Sequence, residues 1–329
     1  MEDPKKLISI ITPCFNESDN VEDCYNVVRR LFADRLPNYD YEHIFCDNAS
    51  TDNTADILRT LAATDARVKV ILNSRNFGPF CSNFNGLMAS QGHAVVVFLA
   101  ADQQDPPELI PEFVRRWEEG YQVVYGVRKK REEGFLMCRI RKLYYWVVST
   151  FANIHIPANA GEFQLVDRVI VDALRQFDDY YPYIRGMIAN CGFKSTGIEY
   201  TWRARKKGFS KNRLIHLIDQ GLNGLVSFTK VPLRLCLLTG FLLALCSIIF
   251  AVFSLFIHLL REGPLAPPGI PTLIVAIFFF SGVQLFFFGI LGEYICAVHF
   301  QVRKRPLVIE KERINFTRPT QVTRRSTAA

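Results

Sequence analysis

The sequence predicts an α/β chain: a mostly parallel sheet domain, then interfacial helices and a two-helix transmembrane hairpin. Three observations carry this. Over roughly the first 130 residues, five short β-rich runs alternate with four helical stretches, the pattern of parallel strands joined by crossover helices. Near the C-terminus two segments lack any formal charge, 26 residues from Leu235 to Leu260 and 22 from Pro271 to Gly292, and each exceeds the ~20 residues a helix needs to cross a bilayer core. Basic residues crowd the outer ends of that pair and not its connection.

The strands are read at Leu7 to Ile11, Tyr41 to Cys46, Val68 to Leu72, Ala94 to Leu99 and Gln122 to Val127. All are continuous apolar or β-branched runs, as strands covered on both faces require. Helical character falls between them, at Asn20 to Phe32, Thr54 to Ala63, Pro79 to Ser90 and Pro107 to Glu118. In an open sheet of this kind ligands bind beyond the carboxyl ends of the strands.

The membrane part begins with Leu214, Ile215, Leu217, Ile218, Leu222, Leu225, Val226 and Phe228, an amphipathic run read as one or two helices lying in the interface. A tip containing Gly263, Pro264, Pro267, Pro268 and Gly269 separates the two spans. Arg203, Arg205, Lys206, Lys207, Lys211 and Arg213 precede the first span, and Arg303, Lys304, Arg305, Lys311 and Arg313 follow the second. The positive-inside rule then places both termini and the front domain in the cytoplasm. The expected organisation is a soluble domain over 1–209, interfacial helices over 210–232, a hairpin over 233–297 (spans about 233–260 and 271–297) and a basic tail over 298–329.

Composition narrows the function classes. Nine cysteines occur without a CxxC pair, and the six histidines never take metal-ligand spacing, so reduced thiols are expected and not a disulfide framework or zinc site. No apolar run precedes the first strand, so no cleavable signal peptide is expected. The net charge of +7 suits anionic headgroups or phosphorylated substrates. No nucleic-acid partner is expected, and a homo-oligomer is compatible with the chain.

The strand ends are unusually polar: Thr12-Pro13-Cys14-Phe15-Asn16-Glu17, Cys46-Asp47-Asn48-Ala49-Ser50-Thr51-Asp52, Asn73-Ser74-Arg75-Asn76-Phe77-Gly78 and Ala100-Ala101-Asp102-Gln103-Gln104-Asp105. Neither GxGxxG nor GxxxxGK[ST] is present, which excludes the common dinucleotide and Walker-type phosphate cradles. The first two loops read equally as helix starts and caps. A carboxylate such as Asp102, just beyond a buried strand, is a hard oxygen ligand of the kind Mg²⁺ or Mn²⁺ shares with substrate phosphates; a helix cap ahead of Pro106 and Pro107 is the alternative.

The series PCFNE, CDNASTDNT, RNFG, ADQQDPPE, GEFQL, RG and GFSK, then a hairpin with GVQL and GEY, resembles the polyisoprenyl-phosphate glycosyltransferases of glycosyltransferase family 2, a group including dolichyl-phosphate mannose synthase and bacterial undecaprenyl-phosphate glucosyltransferases. The resemblance runs from about Ile8 to Pro306. It implies a GT-A (Rossmann-like) domain that transfers a sugar from a UDP- or GDP-sugar to a polyprenyl phosphate at the cytoplasmic membrane face. It further implies that Pro13, Phe15, Glu17, Asp47, Ser50 and Arg75 bind the donor, that Asp102 and Gln104 hold Mg²⁺ or Mn²⁺, and that Asp105 and Glu162 serve catalysis. Arg128, Arg131, Arg139, Arg205, Ser210 and Lys211 would bind the acceptor phosphate.

The chain departs from that family at three stations. Ala100 stands where most members have the first aspartate of Asp-x-Asp, Asn48-Ala49-Ser50 where Asp-Gly-Ser is common, and Gly161-Glu162-Phe163-Gln164 where Gly-Asp-Phe-Arg is common. These departures leave open a different sugar, weaker metal dependence or a catalytically silent binding protein. A polysaccharide synthase would share the loops but should carry a QxxRW motif, which is absent.

Overall fold

The computed structural model describes residues 5–128, 160–177, 182–203, scattered positions between 233 and 256, 270–303 and 306–316. Its globular unit is one eight-stranded sheet. The strands are β1 (Lys6–Cys14), β2 (Tyr39–Asp47), β3 (Val68–Asn73), β4 (Ala94–Val97), β5 (Val123–Arg128), β6 (Ala160–Asp167), β7 (Ser195–Tyr200) and β8 (Glu310–Ile314). They lie in the order β7-β5-β6-β4-β1-β2-β3-β8. Pairs β1–β2, β1–β4, β2–β3 and β5–β7 are parallel, whereas β6 runs antiparallel to β4 and β5, and β8 antiparallel to β3. The five expected strands are present.

The helices are α1 (Val21–Arg35), α2 (Thr54–Thr64), α3 (Pro79–Ala89), α4 (Ile110–Glu118) entered through a 3₁₀ turn at Pro107–Leu109, α5 (Arg168–Leu174) and α6 (Ile184–Asn190). Strand alternation sends Ile8, Ile10, Ala94 and Val96 to the face covered by α1 and α4, and Ile11, Val95 and Val97 to the face covered by α3, α5 and α6. In α1 the buried Val21, Cys24, Tyr25, Val28, Leu31 and Phe32 recur at helical spacing, which is why that stretch coils instead of extending. Helix α3 lies so close to the sheet that a Cβ on Gly86 would stand 2.6 Å from Cys46 Sγ and 2.8 Å from Ile11 Cγ2.

Strand β1 has β2 on one side and β4 on the other. The chain order reverses there, opening the crevice in which such sheets bind ligands. Among the described residues, four non-glycine residues with positive φ sit beyond the ends of the central parallel strands: Asn16 (53°) after β1, Ala49 (57°) after β2, and Phe98 (61°) and Gln103 (54°) after β4. Strained backbone of this kind concentrates at functional sites.

Two expectations are corrected. The segment 298–329 does not remain a tail: Glu310–Ile314 forms β8 along β3, pairing Val70 with Ile314 and Leu72 with Glu312. Charge disguised it, since EKERI has little apolar signal, yet the edge of buried β3 needs partners for its backbone groups. Arg59 reaches Glu312 at 2.9 Å, and Asn315 Nδ2 donates to the carbonyls of Ala62 and Val68 at 2.7 and 2.9 Å.

The second correction is one of length. Helix α7 spans Ile270–Val302, 33 residues, and passes the expected end at 297. Its Phe279–Cys296 portion is the one stretch among the described residues that is long and apolar enough to cross a membrane. Large apolar side chains including Leu273, Phe279, Phe286, Leu291, Ile295 and Val302 are exposed on it. Most of the first expected span lies outside the described residues; positions 237–243 are helical.

Candidate functional site

The loops after β1 and β2 are laced together by side chains accepting from backbone. Asn16 N–H donates to Ser50 Oγ at 2.8 Å, Thr51 N–H to Asn16 Oδ1 at 2.7 Å, Glu17 N–H to Thr54 Oγ1 at 2.9 Å and Ser18 N–H to Asp52 Oδ2 at 3.2 Å. Ser, Thr, Asn and Asp are the residues able to make such local bonds. Asp47, buried at the end of β2, accepts from the Ser50 hydroxyl and, at 3.1 Å, from Ser50 N–H. Burial pushes its carboxyl up and the Ser50 bonds oppose that. Asp47 and Ser50 therefore shape the loop, while half-buried Pro13, Phe15 and Glu17 line its β1 side. The donor-side residues expected from these two loops thus meet at one place.

Asn48 explains its own departure from the family. Its Nδ2 donates to Gly78 O at 3.2 Å, and its Oδ1 accepts from Asn73 Nδ2 at 2.9 Å and Phe77 N–H at 3.4 Å. An aspartate could accept but not donate. Asn48 thereby ties the end of β2 to the loop after β3, where Arg75 is exposed and lies 4.0 Å over the Phe77 ring.

After β4 the chain stays fixed to β1 through Leu99 N–H, which donates to Ile11 O at 2.8 Å. A turn follows in which Gln103 N–H donates to Ala100 O at 3.0 Å, and half-buried Asp102 accepts from Gln104 N–H through Oδ1 at 3.2 Å. Among the described residues no three His, Cys, Asp or Glu side chains cluster into a metal cage. One accessible carboxylate with the half-exposed amide of Gln104 beside it in sequence fits a hard divalent ion shared with a substrate diphosphate, a form Mg²⁺ commonly takes.

The ends of β4 to β7 build a second cluster. Asp105, 3% exposed, receives Arg128 Nη2 at 3.0 and 3.1 Å on its two oxygens. The hydroxyl of Tyr200 donates to Asp105 and accepts from Arg128 Nε at 3.0 Å. Arg128 also lies 5.2 Å over the Trp202 ring. With both oxygens engaged, Asp105 holds Arg128 in place, as a positioning group would. Glu162 on β6 stands 3.9 Å from Arg185 of α6. Burial pushes the Glu162 carboxyl up, with Arg185 and then Arg128 pulling against it. Arg203 N–H, beyond β7, donates to Gln104 O at 3.0 Å, so this cluster and the Asp102 turn share one segment.

Of the expected acceptor-side residues only Arg128 is described; Arg131, Arg139, Arg205, Ser210 and Lys211 lie outside the described residues. Tyr200 and Arg185 went unassigned in the sequence. Their signals were slight: a tyrosine ending a short strand ahead of basic residues, and an arginine in an RG pair.

The sequence model described as glycosyl transferase family 2 matches residues 9–175. An uncharacterized glycosyltransferase of Bacillus subtilis, YkcC, is 34% identical over 302 residues, 92% of each chain. A prophage-derived bactoprenol glucosyl transferase of Shigella flexneri is 31% identical over 306 residues, 93% of this chain and 97% of that one. A prophage bactoprenol glucosyl transferase homolog of Escherichia coli is 30% identical over 305 residues, 92% and 98% of the two chains. Full-length relatives at this identity, a matching family domain and a site at the carboxyl edge of a mostly parallel sheet lead to one assignment: the chain is a glycosyltransferase belonging to glycosyl transferase family 2.

Proposed function

We propose that this enzyme transfers a sugar from a nucleotide diphosphate sugar, a UDP- or GDP-sugar, to a polyprenyl phosphate at the cytoplasmic face of a membrane. The observation that carries the reading is the reach of the likeness. The bactoprenol glucosyl transferase of S. flexneri matches over 93% of this chain, well past the family domain at 9–175, so the likeness includes apolar sequence that a soluble transferase would not need. Two spans, over about 233–260 and 271–297, with domain and both termini cytoplasmic, complete the proposal. It rests on the uncharged lengths and the basic flanks.

The chemistry is a single in-line displacement. A lipid phosphate oxygen attacks the anomeric carbon, a new C–O bond forms with inversion, and the bond to the nucleoside diphosphate breaks with its electron pair leaving on that diphosphate. The attacking oxygen is already anionic, so no strong general base is required. Asp102, with Gln104 as a second oxygen donor, would hold Mg²⁺ or Mn²⁺, which supplies neutralisation of the departing diphosphate. The laced loops of Asn16, Asp47 and Ser50 bind the nucleoside, with Arg75 at their rim. Arg128 presents a planar guanidinium to the acceptor phosphate, joined from the sequence by Arg131, Arg139, Arg205, Ser210 and Lys211. Glu162 orients the acceptor.

Alignment and charge stabilisation supply most of the acceleration in such a scheme. Ala100, which removes one motif carboxylate, favours a second reading: a membrane-anchored protein that binds a nucleotide sugar without turnover. Membranes containing the protein, given labelled nucleotide sugars and polyprenyl phosphate, separate the two. Lipid-extractable label supports transfer; nucleotide binding without it supports the second reading. Orientation is tested by cysteines placed at Pro267 and Thr320 in a cysteine-depleted chain. An impermeant thiol reagent outside intact cells should label the first and not the second, and the reverse labelling overturns the orientation.

A further inference from the structure

We propose that Tyr200 is a positioning residue for acceptor recognition, locking Arg128 and Asp105 into one oriented unit. The inference rests on the proposed role of Arg128 toward the acceptor phosphate. It begins from hydrogen-bond inventory: a carboxylate only accepts, a guanidinium only donates, and a phenol has one proton to give. The Tyr200 phenol, pushed well up by burial with Asp105 adding to the shift, keeps that proton. Only one arrangement satisfies all three groups, with the Tyr200 proton on Asp105 and the Arg128 Nε proton on Tyr200, and it is the one observed. The Nη2 edge of Arg128 is then spent on Asp105, which fixes the plane of the guanidinium and the direction of its remaining edge.

The surroundings are built to hold that ring. Tyr200 is 6% exposed, and Arg128 is its register partner across β5 and β7. A Cβ on Gly126 would stand 2.6 Å from Tyr200 Cε1. A Cβ on Gly161 would reach Tyr200 Oη at 3.5 Å and Arg128 Nε at 3.7 Å. Two glycines on neighbouring strands thus leave a slot the phenol occupies, and Phe163 meets it edge-on at 6.5 Å between centroids. No bond described above joins Tyr200 to the nucleoside-side loops after β1, β2 and β3; its link to the Asp102–Gln104 turn runs through Asp105. Its effect should therefore fall on acceptor binding before nucleotide-sugar binding.

The test uses the full-length chain in detergent. Tyr200→Phe keeps the ring in its slot and removes the hydroxyl, and losing a hydrogen bond to charged groups should raise KM for polyprenyl phosphate about tenfold while KM for the nucleotide sugar holds. Tyr125→Phe, elsewhere on β5, is the control and should leave both constants unchanged. Unchanged acceptor KM in Tyr200→Phe, or a parallel rise in both constants, overturns the proposal. A second readout needs no turnover. If Tyr200 acts through Arg128, the double variant Tyr200→Phe with Arg128→Gln should melt no lower than the worse single variant, because the two share one unit; additive losses overturn it. Wild type lacking any lipid-linked product would sink the acceptor reading and leave this melting test standing, so the two failures are distinguishable.

Discussion

Asn73, at the end of β3, donates its side-chain amide proton to Asn48, at the end of β2, across 2.9 Å in a site where both residues are 2% exposed. An aspartate could accept that bond too; it is the donation from Asn48 Nδ2 to Gly78 O that makes the β3 loop depend on an asparagine where the family commonly has aspartate.

Asn48→Asp should therefore destabilise the protein even though it restores the common residue. It turns the donor facing Gly78 O into a second acceptor and buries a charge, at a cost of about 1–3 kcal/mol. Denaturant unfolding of the two proteins checks this; equal midpoints would show that the donor is dispensable.

Asp102→Asn is nearly isosteric and removes the one motif carboxylate after β4. Transfer should fall at least about a hundredfold, on the scale of losing one preorganised charge-stabilising group, with the melting temperature close to wild type. Wild-type activity should vanish in chelator and return with Mg²⁺ or Mn²⁺. Full activity in chelator removes the metal from the account.

Much of this was legible in the sequence, and the parts that were not share a cause. Strands such as Ile8 to Ile11 and Val68 to Leu72 are buried on both faces, so their composition announces them. The polar strand ends marked the candidate site, because a half-buried carboxylate such as Asp102 fills no place in the apolar core. What stayed hidden depends on partners distant in sequence. Strand β8 is charged and is a strand only because β3 offers an edge. The sequence does not name what Asp105 positions: Arg128, 23 residues on, and Tyr200, 95 residues on, hold its oxygens. Asn48 looked like a lost acid until Gly78 O gave it a reason to donate.

Gly126→Ala should injure fold and acceptor binding together, since its methyl would enter the Tyr200 ring at 2.6 Å. Overpacking of this kind costs about 1–3 kcal/mol. Thermal unfolding with acceptor KM on the same preparation checks it, and a neutral result would mean the slot is looser than its distances indicate.

His43 predicts an acid sensitivity. It is fully buried, its Nε2 is 2.9 Å from Thr12 Oγ1, and burial lowers its pKa to about 3 from 6.5. The unfolded chain binds this proton below pH 6.5 and the folded chain does not until near pH 3. Stability should thus fall as pH drops through that window, by at most about 1.4 kcal/mol per pH unit from this one group. The slope of unfolding free energy between pH 6.5 and 5 should be shallower in His43→Gln, and an identical slope would assign the sensitivity elsewhere.

The central claim is direct displacement by a lipid phosphate, and the anomeric configuration of the product tests it most directly. Purified protein supplied with polyprenyl phosphate and a panel of α-linked UDP- and GDP-sugars should release nucleoside diphosphate only when the lipid is present, and NMR of the lipid product should show a β-linked sugar phosphate. An α-linked product would contradict the single displacement. Absence of lipid-linked sugar from every donor, where a bactoprenol glucosyl transferase is active in parallel, would contradict the function itself.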